Sequence, residues 1–332
     1  MGSTSGQSTV EWTGLVLLVA ALVAGLLAAG VRLPGPVLAQ TVFSKLLCAV
    51  SLSPRCGTTP SLEGSYGERI ASEVRRYAPD LGFGPDLLGL PVDYRTCRSS
   101  WCADPAGDGM VTESTAGEPV TLFTRTLDCR EGAPSASPGE QEITGPAEDA
   151  ISGTAGGSGP DCSGERAGSL FITYWAYYPE SASLRGAPVL EQKGYHPHDW
   201  ESFQVRVDRD GNVSNRASSH NGYNHGRSAV NWGSDAGWGF LRRAAEKAGL
   251  RERGGWGEAT GRYLIAGGSH AGNVADRAGG SAYPRYTPAS RVRLVPLEPI
   301  RHGPLARPAR FDPITPPWRK DVWLDGEAEG TG

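Results

Sequence analysis

Tyr195-His196-Pro197-His198-Asp199-Trp200-Glu201-Ser202-Phe203-Gln204-Val205-Arg206-Val207 is the stretch whose alternation carries most of the fold information in this chain. Its second half switches between apolar and polar residues with a period of two, as a β-strand does. Phe203, Val205 and Val207 share one face, and counting back by two adds Glu201 and Asp199 to it. Ser202, Gln204 and Arg206 take the other face. Two carboxylates therefore point where the hydrophobic side chains point. An ionised carboxylate on such a face is costly unless it is paired, hydrogen-bonded or bound to a cation. No Lys or Arg precedes them within the run, but His196 and His198 do, and Pro197 excludes a helix there. Imidazole and carboxylates at a strand mouth suit a divalent metal. The same spacing also suits a solvated strand end with the histidines in an adjoining loop, and it is no zinc-finger signature.

The chain has 332 residues, enough for one large β-rich domain or two smaller ones. Its 46 glycines and 25 prolines favour short strands and many turns over a helix bundle. A net charge of −4 gives no sign of a nucleic-acid surface. The six cysteines, Cys48, Cys56, Cys97, Cys102, Cys129 and Cys162, fit no zinc spacing. An even count in an exported chain reads as three disulfides, with Cys48–Cys56 and Cys97–Cys102 as the local pairs and free structural thiols as the alternative.

Trp12 to Val31 carries no charge and, as a helix, spans about 30 Å, one bilayer core. Before it stands Gly6-Gln7-Ser8-Thr9-Val10-Glu11. This segment resembles the processing site of type IV pilins of the Flp and TadE-like branch, which are cut after a Gly and carry Glu at the fifth mature position. The resemblance implies a leader of residues 1–6, cleavage by a prepilin peptidase between Gly6 and Gln7, and a role for Glu11 in assembly with pilus or secretion machinery. A plain single-pass anchor is the alternative. Either way a helix over 7–32 is expected in the cell membrane, with the main domain outside, released or pilus-associated after processing. Residues 33–63 form a linker holding Cys48 and Cys56.

Beyond the linker, Glu68 to Tyr77 reads as a short amphipathic helix with Ile70, Val74 and Tyr77 on one face. Val120 to Leu127 reads as a strand. Residues 130–168, rich in Gly, Ser, Pro and acidic residues, are expected to be a mobile loop tied down only by Cys162. Leu170 to Tyr178 is apolar or aromatic on both faces, a central strand that Pro179 should stop. Arg209-Asp210-Gly211-Asn212 reads as the turn of a hairpin joining 203–207 to 213–217. His220 and His225 lie in a Gly/Asn loop, and Asp235 to Leu250 is the one clear soluble helix. Arg262 to Ala266 is a strand running into Gly267-Gly268-Ser269-His270, where the glycines allow close backbone approach. A late strand lies in Ser290–Leu297, the stretch from Pro316 to Asp325 is extended, and 326–332 is a disordered tail.

The order of these motifs resembles the superfamily that joins the necrosis-inducing, Nep-like secreted cytolysins to the Vps-type vacuolar sorting relatives. Their heptapeptide Gly-His-Arg-His-Asp-Trp-Glu stands here as Tyr195 to Glu201. Tyr178-Pro179-Glu180-Ser181 matches an aromatic strand that ends Phe-Pro-Lys-Asp in the Nep-like branch. Tyr77-Ala78-Pro79, Pro91-Val92-Asp93, Gly268-Ser269-His270-Ala271 and Pro316-Pro317-Trp318 match the Vps-type branch. The resemblance covers residues 64–325 and implies a two-sheet antiparallel β-sandwich with a few short helices and a divalent cation near one end. Carried over, His196, Asp199 and Glu201 hold the ion, Ca²⁺ or Mg²⁺, with His198, His220, His270 and Glu180 acting around it or through water. Where the family has Asp after the aromatic strand this chain has Ser181, and a mixed imidazole–carboxylate set also accepts Mn²⁺ or Zn²⁺.

Three functions follow as expectations. The first is non-enzymatic: the metal site binds a glycan or lipid headgroup at a membrane. The second is a metal-dependent hydrolase, with His220 or His270 as general base, although no nucleophile motif accompanies them. The third is a minor pilin-like surface protein with a purely structural metal.

Overall fold

The computed structural model describes residues 60–85, 87–130, 162–182, 195–219, 222–224, 255–274, 283–301 and 315–328. The pilin-like site at Gly6, Gln7 and Glu11, the apolar helix over 7–32, Cys48, Cys56, His220, His225 and the helix expected at 235–250 lie outside the described residues. Among the described residues no helix is long and apolar enough to cross a membrane.

The described part is mainly β, with short helices. The helices are α1 (Leu62–Arg76), α2 (Ser100–Ala103) and α3 (Leu297–Arg301). The strands are β1 (Asp80–Phe83), β2 (Gly109–Met110), β3 (Thr121–Asp128), β4 (Leu170–Ala182), β5 (Tyr195–Val207), β6 (Val213–Ser219), β7 (Gly222–Asn224), β8 (Gly257–Glu258), β9 (Arg262–Ile265), β10 (Gly272–Asn273), β11 (Arg285–Thr287) and β12 (Arg293–Pro296). One sheet has the order β10-β9-β1-β11-β2; the other runs β12-β3-β4-β5-β6-β7, with β8 also paired to β6.

Both sheets are mixed, which corrects the antiparallel expectation. β1 runs parallel to β9, β11 to β2 and β12 to β3. Each of these pairs is far apart in sequence, and parallel strands need long crossovers rather than tight turns. Hairpin reasoning works only for neighbours. It succeeds at β5–β6, where Val207 faces Val213. Asp208 Oδ1 accepts from the amides of Asp210 and Asn212 at 2.9 and 2.8 Å there, and Gly211 supplies a φ of 82°.

The longest pairing joins β4 to β5, from Leu170↔Val207 to Ala182↔Tyr195. β4 runs on through Pro179 instead of ending there. Beyond Trp175 it has no partner in β3, so a residue without an N–H is tolerated there, and the position opposite, His198, is skipped in the register. Helix α1 starts earlier than the apolar pattern suggests, because Ser61 Oγ caps Gly64 N at 2.9 Å and Gly67 adopts a φ of 74° within it. Ile70, Ala71 and Val74 are buried, and the Tyr174 hydroxyl donates to Val74 O at 2.6 Å.

The two sheets share one core. Leu81, Phe83, Tyr263 and Ile265 from the first meet Tyr174, Phe203, Val205 and Ala217 from the second. The Phe203 and Tyr263 rings are 5.5 Å apart. Burial of each such side chain contributes about 1.5–3 kcal/mol. The other face of the second sheet carries Arg125, Thr173, Gln204 and Arg216 as one cross-strand row. The C-terminal segment covers it in two 3₁₀ turns, Pro317–Arg319 and Asp321–Trp323, where extended chain was expected. The chain at 326–328, expected to be free tail, is tied down: Arg216 donates to Gly326 O and Ala328 O, both at 2.9 Å.

Two disulfides are formed, Cys97–Cys102 and Cys129–Cys162. The first is the expected local pair. The second closes the loop that Cys162 was expected to anchor.

Candidate functional site

Strand parity places Asp199 and Glu201 on the core-facing side of β5 with Phe203 and Val205, as the alternation requires. All four are buried. Asp199 stands opposite Tyr178 and Glu201 opposite Ala176.

The imidazole that meets them comes from 71 residues away. His270 Nδ1 lies 3.2 Å from Asp199 Oδ2, and the His270 side chain has no solvent exposure. Its ring stacks on Tyr178 with centroids 3.7 Å apart and planes within 2°. The approach depends on the glycine pair before it. A Cβ on Gly268 would sit 2.6 Å from Ala182 O, and Ala182 N donates to Gly268 O at 2.9 Å. That contact fastens the β9–β10 turn to the end of β4. His270 itself takes a φ of 54°, rare for a residue with a side chain. Such strain persists where the surroundings dictate it.

With Nδ1 donating to Asp199, Nε2 is an acceptor, and it is buried without a hydrogen-bond partner among the described residues. The hydroxyls of Tyr178 and Tyr263 and Nδ1 of His196 are in the same condition. Buried polar groups are nearly always satisfied, so several together mark a place for water, an ion or a ligand.

Glu201 Oε2 is hydrogen-bonded by the hydroxyl of Ser218, whose oxygen accepts from Ser202 N at 2.6 Å. Burial, and then the neighbouring Asp199, push the Glu201 carboxyl up to about 8; Lys320 and Ser218 oppose this. Burial also works against ionisation of Asp199. There the hydrogen bond from His270, aided by the neighbouring basic groups, wins and holds the carboxyl below its ordinary value. One acid of the pair is thus held ionised and the other is disposed to keep its proton.

Lys320 lies beside the pair and bonds the backbone between the two acids rather than either carboxylate. Its ammonium donates to Trp200 O at 2.9 Å, the carbonyl of the residue between the two acids, and lies 5.5 Å from the Trp175 ring centroid. Burial lowers its pKa against the pull of Glu201 and Asp199.

The remaining predicted residues separate. His196 stands opposite Ser181, toward the outer end of the β4–β5 pairing. His198 turns the other way, with a φ of 59°, and shares a 2.5 Å hydrogen bond with the Tyr177 hydroxyl. Burial, then Arg98, lowers its pKa. Glu180 pairs across from Pro197 and hydrogen-bonds with Tyr195 at the outer end of the strand. Among the described residues no three His, Cys, Asp or Glu side chains gather as a metal cage, so the expected trio of His196, Asp199 and Glu201 is not drawn together as a set. The donor chemistry fits a cation in one respect. A carboxylate-oriented imidazole with its second nitrogen unpartnered is how histidine commonly meets a metal.

Sequence reading missed Lys320, Ser218, Tyr178 and Tyr263 as members of the site. Lys320 had a signal, since it follows Pro316-Pro317-Trp318 by two residues. The others are ordinary strand residues whose role appears only when the sheets are packed. Comparison of the chain with protein-family models, with curated proteins and with solved structures finds no match.

Proposed function

We propose that this domain is a binding module in which a divalent cation, taken up beside the Asp199–Glu201 pair at the mouth of β5, receives a glycan or a lipid headgroup. The observation that supports the reading is a pair of adjacent carboxylates on the core-facing side of a strand, beside an imidazole nitrogen with no partner among the described residues. A bound cation would supply open positions for vicinal hydroxyls or phosphate oxygens. Oxygen donors favour Ca²⁺ or Mg²⁺, and each imidazole that joins shifts the preference toward Mn²⁺ or Zn²⁺. The two disulfides agree with an oxidising compartment, and so with a domain outside the cell and anchored through its N-terminal apolar segment.

Elemental analysis of the purified chain tests this directly. About one divalent ion per chain is expected, lost in Asp199→Ala, together with binding to vesicles that carry glycosylated or phosphate-bearing headgroups. A folded chain that takes up none of Ca²⁺, Mg²⁺, Mn²⁺ or Zn²⁺ overturns the reading.

One observation favours a second reading, a metal-dependent hydrolase. A carboxylate holding Nδ1 of an imidazole, with Nε2 left as an acceptor, is the orientation a general base needs. Release of product from phosphodiester or ester substrates with added Mn²⁺, abolished in His270→Gln, would select it. The pilin-like reading rests on Gly6 and Glu11 alone, and intact mass of the membrane-bound protein tests it.

A further inference from the structure

The C-terminal segment lies on the outer face of the second sheet as a peptide lies on a receptor. Arginine is seldom buried unless it is paired, yet this face buries Arg125 and Arg216. Both reach the C-terminal segment. The Arg125 guanidinium carbon lies 4.7 Å from the Trp323 ring centroid, and Arg216 donates to Gly326 O and Ala328 O at 2.9 Å. Two further arginines take the carboxylates: Arg166 pairs with Asp325 at 2.6 Å, and Arg206 with Glu327 at 2.9 Å. Gly326 packs so closely on Phe171 that a Cβ there would lie 2.5 Å from the ring. Leu324, by contrast, is exposed. Trp323, Asp325, Gly326 and Glu327 are thus each matched by their own group on the sheet. Main-chain bonds for affinity and side-chain pockets for identity are the grammar of peptide recognition, and arginine clusters are its form for acidic motifs. The segment joins the body through residues 302–314, which lie outside the described residues. Chain of that length reaches up to about 40 Å when extended.

We propose that this face is an exchange interface between copies of the chain, on which residues 323–327 of one molecule dock in place of the same segment of a second copy. The partner is a second copy because the fit is displayed, residue by residue, by the chain's own sequence. In a single molecule the segment is a tethered ligand at high effective concentration, so the closed form dominates in dilute solution. When copies are held close together the same contacts form between them, and exchanging an identical element is a low-cost route to a dimer. The inference is independent of cation binding at Asp199 and Glu201.

The test is complementation between two full-length variants. Asp325→Asn/Glu327→Gln weakens the segment and leaves the receiving face intact. Arg166→Gln/Arg206→Gln weakens the face and leaves the segment intact. By sedimentation velocity each variant alone should be monomeric, and their equimolar mixture should form a 1:1 dimer, since only the mixed pair brings an intact segment to an intact face. A mixture of two folded variants that stays monomeric overturns the proposal. A second measurement needs no variant chain. A fluorescein-labelled peptide of residues 317–328 is titrated with the wild-type chain and read by fluorescence anisotropy. It should bind at least tenfold more tightly than the same peptide carrying Asp325→Asn/Glu327→Gln. Equal binding of the two peptides, or no binding of either, overturns the proposal even if a variant chain fails to fold.

Discussion

Nδ1 of His270 and Oδ2 of Asp199 lie 3.2 Å apart, joining the turn after β9 to the mouth of β5 across the shared core of the two sheets. Both side chains are buried, so neither has water to fall back on. Removing one partner of such a pair leaves the other uncompensated, which typically costs about 3–5 kcal/mol. His270→Ala should lose stability in that range, read as a shift of the urea midpoint at unchanged slope. His270→Asn should lose less. Asparagine tolerates the positive φ at this position and keeps a donor near Asp199. Equal losses in the two variants would show that neither the hydrogen bond nor the backbone conformation matters.

Half of that relationship is legible in the sequence. Period-two alternation aims Asp199 and Glu201 inward, because parity is a local property of a strand. Gly267-Gly268 before His270 signals a close approach for the same local reason. What the sequence does not hold is the pairing of β9 with β1 or of β12 with β3. Parallel partners are chosen by long crossovers that no turn motif announces. The antiparallel expectation failed there. Lys320 was missed for a related reason: Pro316-Pro317-Trp318 marks the segment that carries it, but how that segment crosses the sheet is not encoded in neighbouring residues. Pro179 misled in the opposite direction. It reads as a strand stop, but β4 carries it where bonding to β3 has already ceased.

Gly272 sets the spacing between β10 and the end of β6. A Cβ there would lie 2.6 Å from Tyr263 Cε2, 2.8 Å from Ala217 Cβ and 2.8 Å from Ser218 O. Two of these neighbours belong to the site, so Gly272→Ala should cost about 1–3 kcal/mol through overpacking. Denaturation measures the loss. A variant as stable as wild type would mean that β10 shifts without resistance.

Arg216 is fully buried on the opposite face of the sheet. Its Nε donates to Gln204 Oε1 at 2.6 Å, and its guanidinium carbon lies 4.2 and 4.4 Å from the Tyr223 and Trp256 ring centroids. With its bonds to Gly326 O and Ala328 O, it is the clamp on the C-terminal segment. Arg216→Met keeps bulk but leaves those two carbonyls and Gln204 without their donor, a loss of about 4–5 kcal/mol at about 1.5 kcal/mol for each of the three charge-assisted bonds. Limited proteolysis should then clip the chain after Lys320 faster than in the wild type. Glu327→Gln, which touches only the rim of the clamp, should change stability by about 1 kcal/mol or less.

Reduction separates the two disulfides. Cys129–Cys162 spans 33 positions and Cys97–Cys102 spans 5. Loop-closure entropy assigns about 3–4 kcal/mol to the longer loop and about 2 kcal/mol to the shorter. The double variant Cys129→Ala/Cys162→Ala should therefore melt well below Cys97→Ala/Cys102→Ala. The reverse order would show that the short staple holds up more packing than the length of its loop implies.

The acidic pair gives the domain a pH dependence whose sign follows from its two members. Burial, and secondly Asp199, raise Glu201 to about 8 from an ordinary 4.5. An acid that binds its proton more tightly when folded contributes full stability below the unfolded value and loses it as pH rises through the folded one. Asp199 is held below its ordinary 3.8 once His270 has outweighed burial, so its contribution is present above that value and lost as pH falls. In metal-free buffer, stability should therefore decline from about pH 5 to pH 8. In Glu201→Gln that decline should flatten while the acid-side loss owed to Asp199 remains. Lys320 and His270 are common to both proteins, so the difference between the two profiles isolates Glu201. Urea midpoints measured from pH 4 to pH 9 in EDTA provide the comparison. Saturating Mn²⁺ should reverse the slope in the wild type alone, because a bound cation favours the ionised carboxylate. Parallel profiles for the two proteins would show that Glu201 keeps an ordinary carboxyl in the folded chain.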